Sequence, residues 1–85
     1  MRVDKLLNKL CIVKHRNIAK KACANNLIKI NNVAVKSSKE VKDMDIIEVN
    51  LYGYQTKFRI IKIPTGNVSK ASANNYYEVI EKIPL

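Results

Sequence analysis

The stretch Leu27-Ile28-Lys29-Ile30-Asn31-Asn32-Val33-Ala34-Val35-Lys36-Ser37-Ser38 decides the fold. A β-branched run broken by an Asn pair reads as two short strands, Leu27 to Asn31 and Val33 to Lys36, joined by a tight hairpin. Asn-Asn can supply the two positive φ angles of such a turn, though less readily than Asn-Gly. Upstream the apolar period changes. Val3, Leu6, Leu7 and Leu10 fall at i, i+3, i+4 and i+7, which is an amphipathic helix of about three turns. Asp4 sits in its first turn, where the helix dipole favours an acid. Ile12-Val13 carries the apolar pattern into a polar corner, Lys14-His15-Arg16. Asn17 then reads as the N-cap of a second helix, Ile18 to about Asn25, with Ile18, Ala19, Ala22 and Cys23 inward. Asn25-Asn26 closes it, because Asn tolerates the left-handed conformation at a helix end.

Downstream, Ser37-Ser38 opens a loop, Asp43-Met44-Asp45 is a turn, and Ile46 to Leu51 is a strand. Tyr52-Gly53-Tyr54-Gln55 turns the chain into a further strand, Thr56 to Ile63, with Phe58, Ile60 and Lys62 on one side, and Pro64 stops it. The spacing of Ala73, Tyr76, Tyr77 and Ile80 predicts a short C-terminal helix, although Tyr-Tyr-Glu-Val-Ile suits the start of a strand equally well. Helices followed by strands, with no βαβ alternation, mean an α+β fold. Two packed N-terminal helices precede a small, mainly antiparallel sheet, and residues 1–85 form one domain.

The 85 residues are 47% hydrophobic and 27% charged, a balance that supports a small core and disfavours disorder. No run of about 18 apolar residues could span a membrane, and the N-terminus lacks the apolar stretch of a signal peptide, so a cytoplasmic protein is expected. The two cysteines, Cys11 and Cys23, are then reduced and half buried. With one histidine, a closed zinc site would have to recruit carboxylates, so neither metal nor cofactor is expected. An enzyme is disfavoured as well. There is no Gly-rich phosphate loop and no Ser-His-Asp set, and Cys11 and His15 lack a third group to orient the base. A membrane-surface helix would want Trp or Phe at its apolar edge, and the chain has no Trp and a single Phe, placed in a strand.

The formal net charge is +9, and all of the excess lies in the first half. Residues 1–39 hold ten basic side chains against Asp4 alone, whereas residues 40–85 hold six bases and six acids. A solubilising coat would be spread more evenly, so the asymmetry points to a polyanion-binding surface.

In order and spacing, these residues resemble the S4 RNA-binding domain family from Arg2 to about Val49. The opening Arg2-Val3-Asp4-Lys5-Leu6-Leu7, the corner Lys14-His15-Arg16 with Ala19, and the hairpin from Leu27 to Ser38 carry the likeness. Residues 50–85 then add a strand and a C-terminal extension, whose Ala71-Ser72-Ala73-Asn74-Asn75-Tyr76-Tyr77-Glu78 is similar to the Ala-rich, Tyr-containing end of the small stand-alone S4 proteins of bacteria. The resemblance implies an S4-type (αL) fold and a monomeric, non-catalytic protein docked on the large ribosomal subunit. It implies contact with ribosomal RNA and peptidyl-tRNA, and a role beside a nascent-chain quality-control factor on stalled ribosomes. Departures from the family are Asn26 and Asn32, where it usually has Gly, and Asp43-Met44-Asp45, where it has Pro-Gly-Asp. Asn is the best substitute for Gly at positive φ, at a few tenths to about 1 kcal/mol.

The candidate RNA-binding residues are Arg2, Lys5, Lys14, His15, Arg16, Lys20, Lys21, Lys36 and Ser37. An Arg fork binds phosphate through two bonds, and the N-terminus of the second helix adds free N–H groups. Such a surface reads the shape and charge of folded RNA. Asp4 is expected to be a helix cap or an arginine orienter, because a carboxylate would repel phosphate, and Arg16 can bridge to it as well as touch RNA. Tyr76 and Tyr77 read as core. Tyr52 and Tyr54 suit either base stacking or apolar packing at a hairpin end.

Overall fold

The computed structural model describes residues 1–85. It contains α1 (Val3–Lys9), α2 (Arg16–Ala24), β1 (Ile28–Ile30), β2 (Val33–Ala34), β3 (Ile46–Leu51), β4 (Tyr54–Ile60), a 3-10 turn at Ala73–Asn75 and β5 (Tyr77–Pro84). The strands form one antiparallel sheet in the order β2-β1-β3-β4-β5. The two helices pack on one face of it. Val3, Leu6, Leu7 and Leu10 from α1 and its end meet Ala19, Ala22 and Cys23 from α2 and the alternating Ile28, Ile30, Ile47, Val49, Phe58 and Ile60 of the sheet. Each of the larger of these side chains contributes roughly 1.5–3 kcal/mol on full burial.

Local chemistry explains the element ends. α1 is two turns long, shorter than its apolar spacing suggested, because Cys11 takes φ 60° and turns the chain. The Asn8 amide then pins the corner by donating to the Lys14 carbonyl at 3.1 Å. α2 begins at Arg16, two residues before the expected Ile18, and its N-cap is His15 in place of Asn17. The early start places the Arg16 side chain beside α1. α2 closes with a Schellman pair: Leu27 N–H donates to Ala22 O at 2.9 Å and Asn26 N–H to Cys23 O at 3.1 Å, with Asn26 at φ 59°. Asn31 and Asn32 take φ 50° and 70°, the two left-handed angles that the hairpin requires. Met44 is also left-handed, at φ 72°, so the Asp43-Met44-Asp45 turn follows the backbone that Gly would give.

Three expectations need correction. Residues 76–80 are not helical: one 3-10 turn is followed by β5, paired with β4 from Tyr54↔Pro84 to Ile60↔Tyr77. Aromatic and β-branched residues favour a strand, and the outer edge of β4 would otherwise leave its backbone groups unpaired. Of the helical-looking positions only Ala73 is buried, and Ile80 is 46% exposed. The preceding strand ends at Ile60, so Lys62 lies outside the sheet. The cysteines are not alike either: Cys11 is exposed and Cys23 is buried, where burial, with the nearby charge of Asp4, pushes its thiol pKa up. No helix is long and apolar enough to cross a membrane.

Candidate nucleic-acid interface

The site is built on the chain start. Residues 1–4 are zipped to the loop 37–41: Val3 N–H donates to Lys39 O at 2.8 Å, Val41 N–H to Met1 O at 2.9 Å, and Asp4 N–H to Ser37 O at 3.4 Å. The terminal ammonium meets Glu40 at 2.7 Å and holds the Glu40 carboxyl below its ordinary value. The first N–H groups of α1 are therefore capped by loop carbonyls, and the same contacts bring Lys36 and Lys39 toward Arg2. At α2 the reverse holds. The N–H groups of Arg16 and Asn17 have no acceptor within the protein, as expected of an open helix start.

Asp4 is fully buried between the helices and organises two arginines. Arg16 Nε donates to its Oδ2 at 3.0 Å, and Arg2 Nε lies 3.3 Å from its Oδ1. Lys5 N–H donates to Oδ1 at 2.8 Å. Burial alone would raise the Asp4 pKa, but the Arg16 hydrogen bond, the Lys5 N–H and the two guanidinium charges outweigh it and hold the carboxyl below its usual range. Both arginines remain about 40% exposed. One carboxylate cannot neutralise two guanidinium groups, so the pair presents net positive charge with its geometry already fixed. Arg2 Nε is buried with no hydrogen-bond acceptor, being off the line to Asp4.

The other expected residues flank this pair. Lys5 is exposed on α1, Lys14 and His15 on the corner, Lys20 and Lys21 on α2, and Lys36 at the hairpin exit. None of these five lysines forms an ion pair, whereas Lys29, Lys57 and Arg59 on the other face of the sheet are matched to Glu48 and Glu78. Ser37 is half-buried, and its carbonyl accepts from Asp4 N–H at 3.4 Å, which leaves its hydroxyl and its backbone N–H without a partner in the protein. Sequence reasoning missed Lys39 and Lys42. With Lys36 they rim an open cleft of about 630 Å³ over Val33, Ala34 and Val35. Only the surplus of basic residues hinted at it. No group of three or more His, Cys, Asp or Glu is placed to hold a metal.

A family model described as the S4 domain matches residues 1–47. The chain is 34% identical over 77 residues to the RQC P-site tRNA stabilizing factor of Helicobacter pylori J99, covering 89% of this chain and 92% of that protein. To the factor of the same name from Streptococcus pneumoniae R6 it is 31% identical over 84 residues, covering 96% and 92%. Among solved structures, trimeric heat shock protein 15 of Vibrio cholerae superposes with a TM-score of 0.86 at 23% identity, over 93% of this chain and 80% of that one. The solution structure of a hypothetical protein does so with a TM-score of 0.82 at 30% identity, over 95% and 98%.

Proposed function

This chain belongs to the S4 domain family, and from that premise we propose that it is a monomeric, cytoplasmic, non-catalytic RNA-binding protein that docks on the large ribosomal subunit. Its contacts are with ribosomal RNA and with peptidyl-tRNA, and its role is to stabilise that tRNA when a nascent chain has stalled, beside a partner factor of quality control. The relatives named for stabilising P-site tRNA support this reading along nearly the whole chain.

The observation that carries it is the pair Arg2 and Arg16 locked on buried Asp4 and half exposed, with unpaired lysines on either side. A guanidinium fixed before the encounter gives up little freedom when it binds a phosphate oxygen. The surface Arg2, Lys5, Lys14, His15, Arg16, Lys20, Lys21, Lys36 and Ser37 thus suits the backbone of a folded RNA.

Sucrose-gradient sedimentation of the tagged protein tests the proposal. Co-migration with free large subunits at low salt, lost at moderate salt, is expected. A profile confined to the top of the gradient at both salts would reject ribosome docking. Truncating Arg2 and Arg16 to Ala is a poor probe, because it strands a buried carboxylate. The combined Asp4→Asn, Arg2→Gln, Arg16→Gln variant removes the forks and the charge together. It is expected to stay folded and leave the subunit fraction.

A further inference from the structure

The helices leave one end of the sheet's core-side face uncovered. There, Ile12 from the α1–α2 corner, Leu51, Tyr52, Tyr77 and Val79 enclose a groove of about 180 Å³ with Phe58 at its floor. Tyr52 is 62% exposed, Val79 56% and Tyr54 40%. A cation stands at the margin of this groove: Lys82 lies opposite the lining residue Thr56, forms no ion pair, and holds its Nζ 4.3 Å from the centroid of the Tyr54 ring. The acids of β5 point to the opposite face: Glu78 pairs with Arg59 at 2.6 Å, and Glu81 stands opposite Lys57, which reaches Glu48 at 3.9 Å. Exposed aromatic rings beside an unpaired cation fit an anionic chain that carries flat apolar groups, which is single-stranded nucleic acid.

Tyr52 itself adds an independent sign. It holds φ 58° in the two-residue turn with Gly53 at φ 79°, a position where Asn or Gly would be unstrained. Its exposure shows that burial does not compensate for that strain. Resting on the RNA-binding reading above, we propose that this groove is a second RNA contact, in which Tyr52 stacks on one unpaired base while Lys82 meets a flanking phosphate.

The test uses the whole protein and protein-free large-subunit ribosomal RNA. Tyr52→Asn relaxes the turn, so its Tm is expected to rise while its affinity falls roughly fivefold or more. Tyr52→Phe keeps the ring and is expected to retain affinity. Tyr52→Trp creates the sole Trp of the chain, whose emission is expected to be quenched by the RNA and by single-stranded poly(U), but not by a duplex RNA. Unchanged affinity in Tyr52→Asn, or an unquenched Trp in a complex that does form, would overturn the stacking site and leave the arginine surface standing. Failure of the wild-type protein to bind the RNA at low salt would instead reject the RNA reading, and this site with it.

Discussion

Arg16 Nε donates to Asp4 Oδ2 at 3.0 Å across the angle between α1 and α2, so one bond both ties the helices together and aims a guanidinium outward. The two ends of that bond are unequal. Asp4 has no exposed side-chain surface, while Arg16 keeps 40% of its own. Removing either partner therefore has a different consequence.

Arg16→Ala leaves a buried carboxylate held by Arg2 and one backbone N–H, and is expected to cost about 2–3 kcal/mol. Asp4→Ala frees two arginines that can turn to water, and is expected to cost less, about 1–2 kcal/mol. The Asp4→Asn, Arg16→Gln double variant should lose less than the sum of its two single variants. Urea unfolding of the parent and the five variants measures this. Equal costs for Arg16→Ala and Asp4→Ala would show that the bond does not bridge a buried and an exposed group.

The depressed Asp4 pKa sets a pH dependence. A carboxylate whose folded pKa lies below its unfolded value stabilises the fold fully above the unfolded value, near 3.8 for this group, and the stabilisation is lost as pH falls through the folded pKa. Glu40, depressed by the terminal amine, acts in the same direction. Tm should thus be flat through neutral pH and fall below about pH 4. Asp4→Asn should flatten that acid limb, which Tm measurements between pH 7 and pH 2.5 can show.

The first half of the fold was legible because each device there is local. Val3, Leu6, Leu7 and Leu10 show a helical period, and Asn26 and Asn31-Asn32 mark left-handed backbone by residue type alone. The Arg16–Asp4 pairing was legible too, since Asp4 is the only acid among the first 39 residues. The second half was harder. Ala73, Tyr76, Tyr77 and Ile80 match a helical spacing by coincidence, and what makes residues 77–84 a strand is the free edge of β4, a partner remote in sequence. Lys39 and Lys42 were missed for a related reason. Their place beside Lys36 depends on the N-terminus pairing with loop 37–41, a long-range contact without a sequence motif.

Met44 offers a stability gain at little loss of contact. At φ 72° and 62% exposed, it carries backbone strain and buries little. Met44→Gly should stabilise the protein by about 0.5–1 kcal/mol, raising Tm by roughly 2–8 °C for a domain of this size. The loss of unfolded-state restriction on going to Gly reduces the gain but should not reverse it. Since Met44 lies outside the arginine surface, RNA affinity should not move. A lower Tm would show that the side chain packs more usefully than its exposure suggests.

Lys20 and Lys21 separate electrostatic docking from fold. Both are exposed on α2 and pair with no acid, so Lys20→Ala with Lys21→Ala should leave stability within about 0.5 kcal/mol of the parent. If each meets a phosphate, the variant should bind more weakly at every salt concentration, and the slope of log affinity against log salt should become shallower by about 1 per lysine lost. Weaker binding with an unchanged slope would mean that the two side chains position the protein by packing rather than by phosphate contact. An unchanged affinity would confine the interface to the Arg2–Arg16 pair, the Lys14-His15 corner and the loop at Lys36.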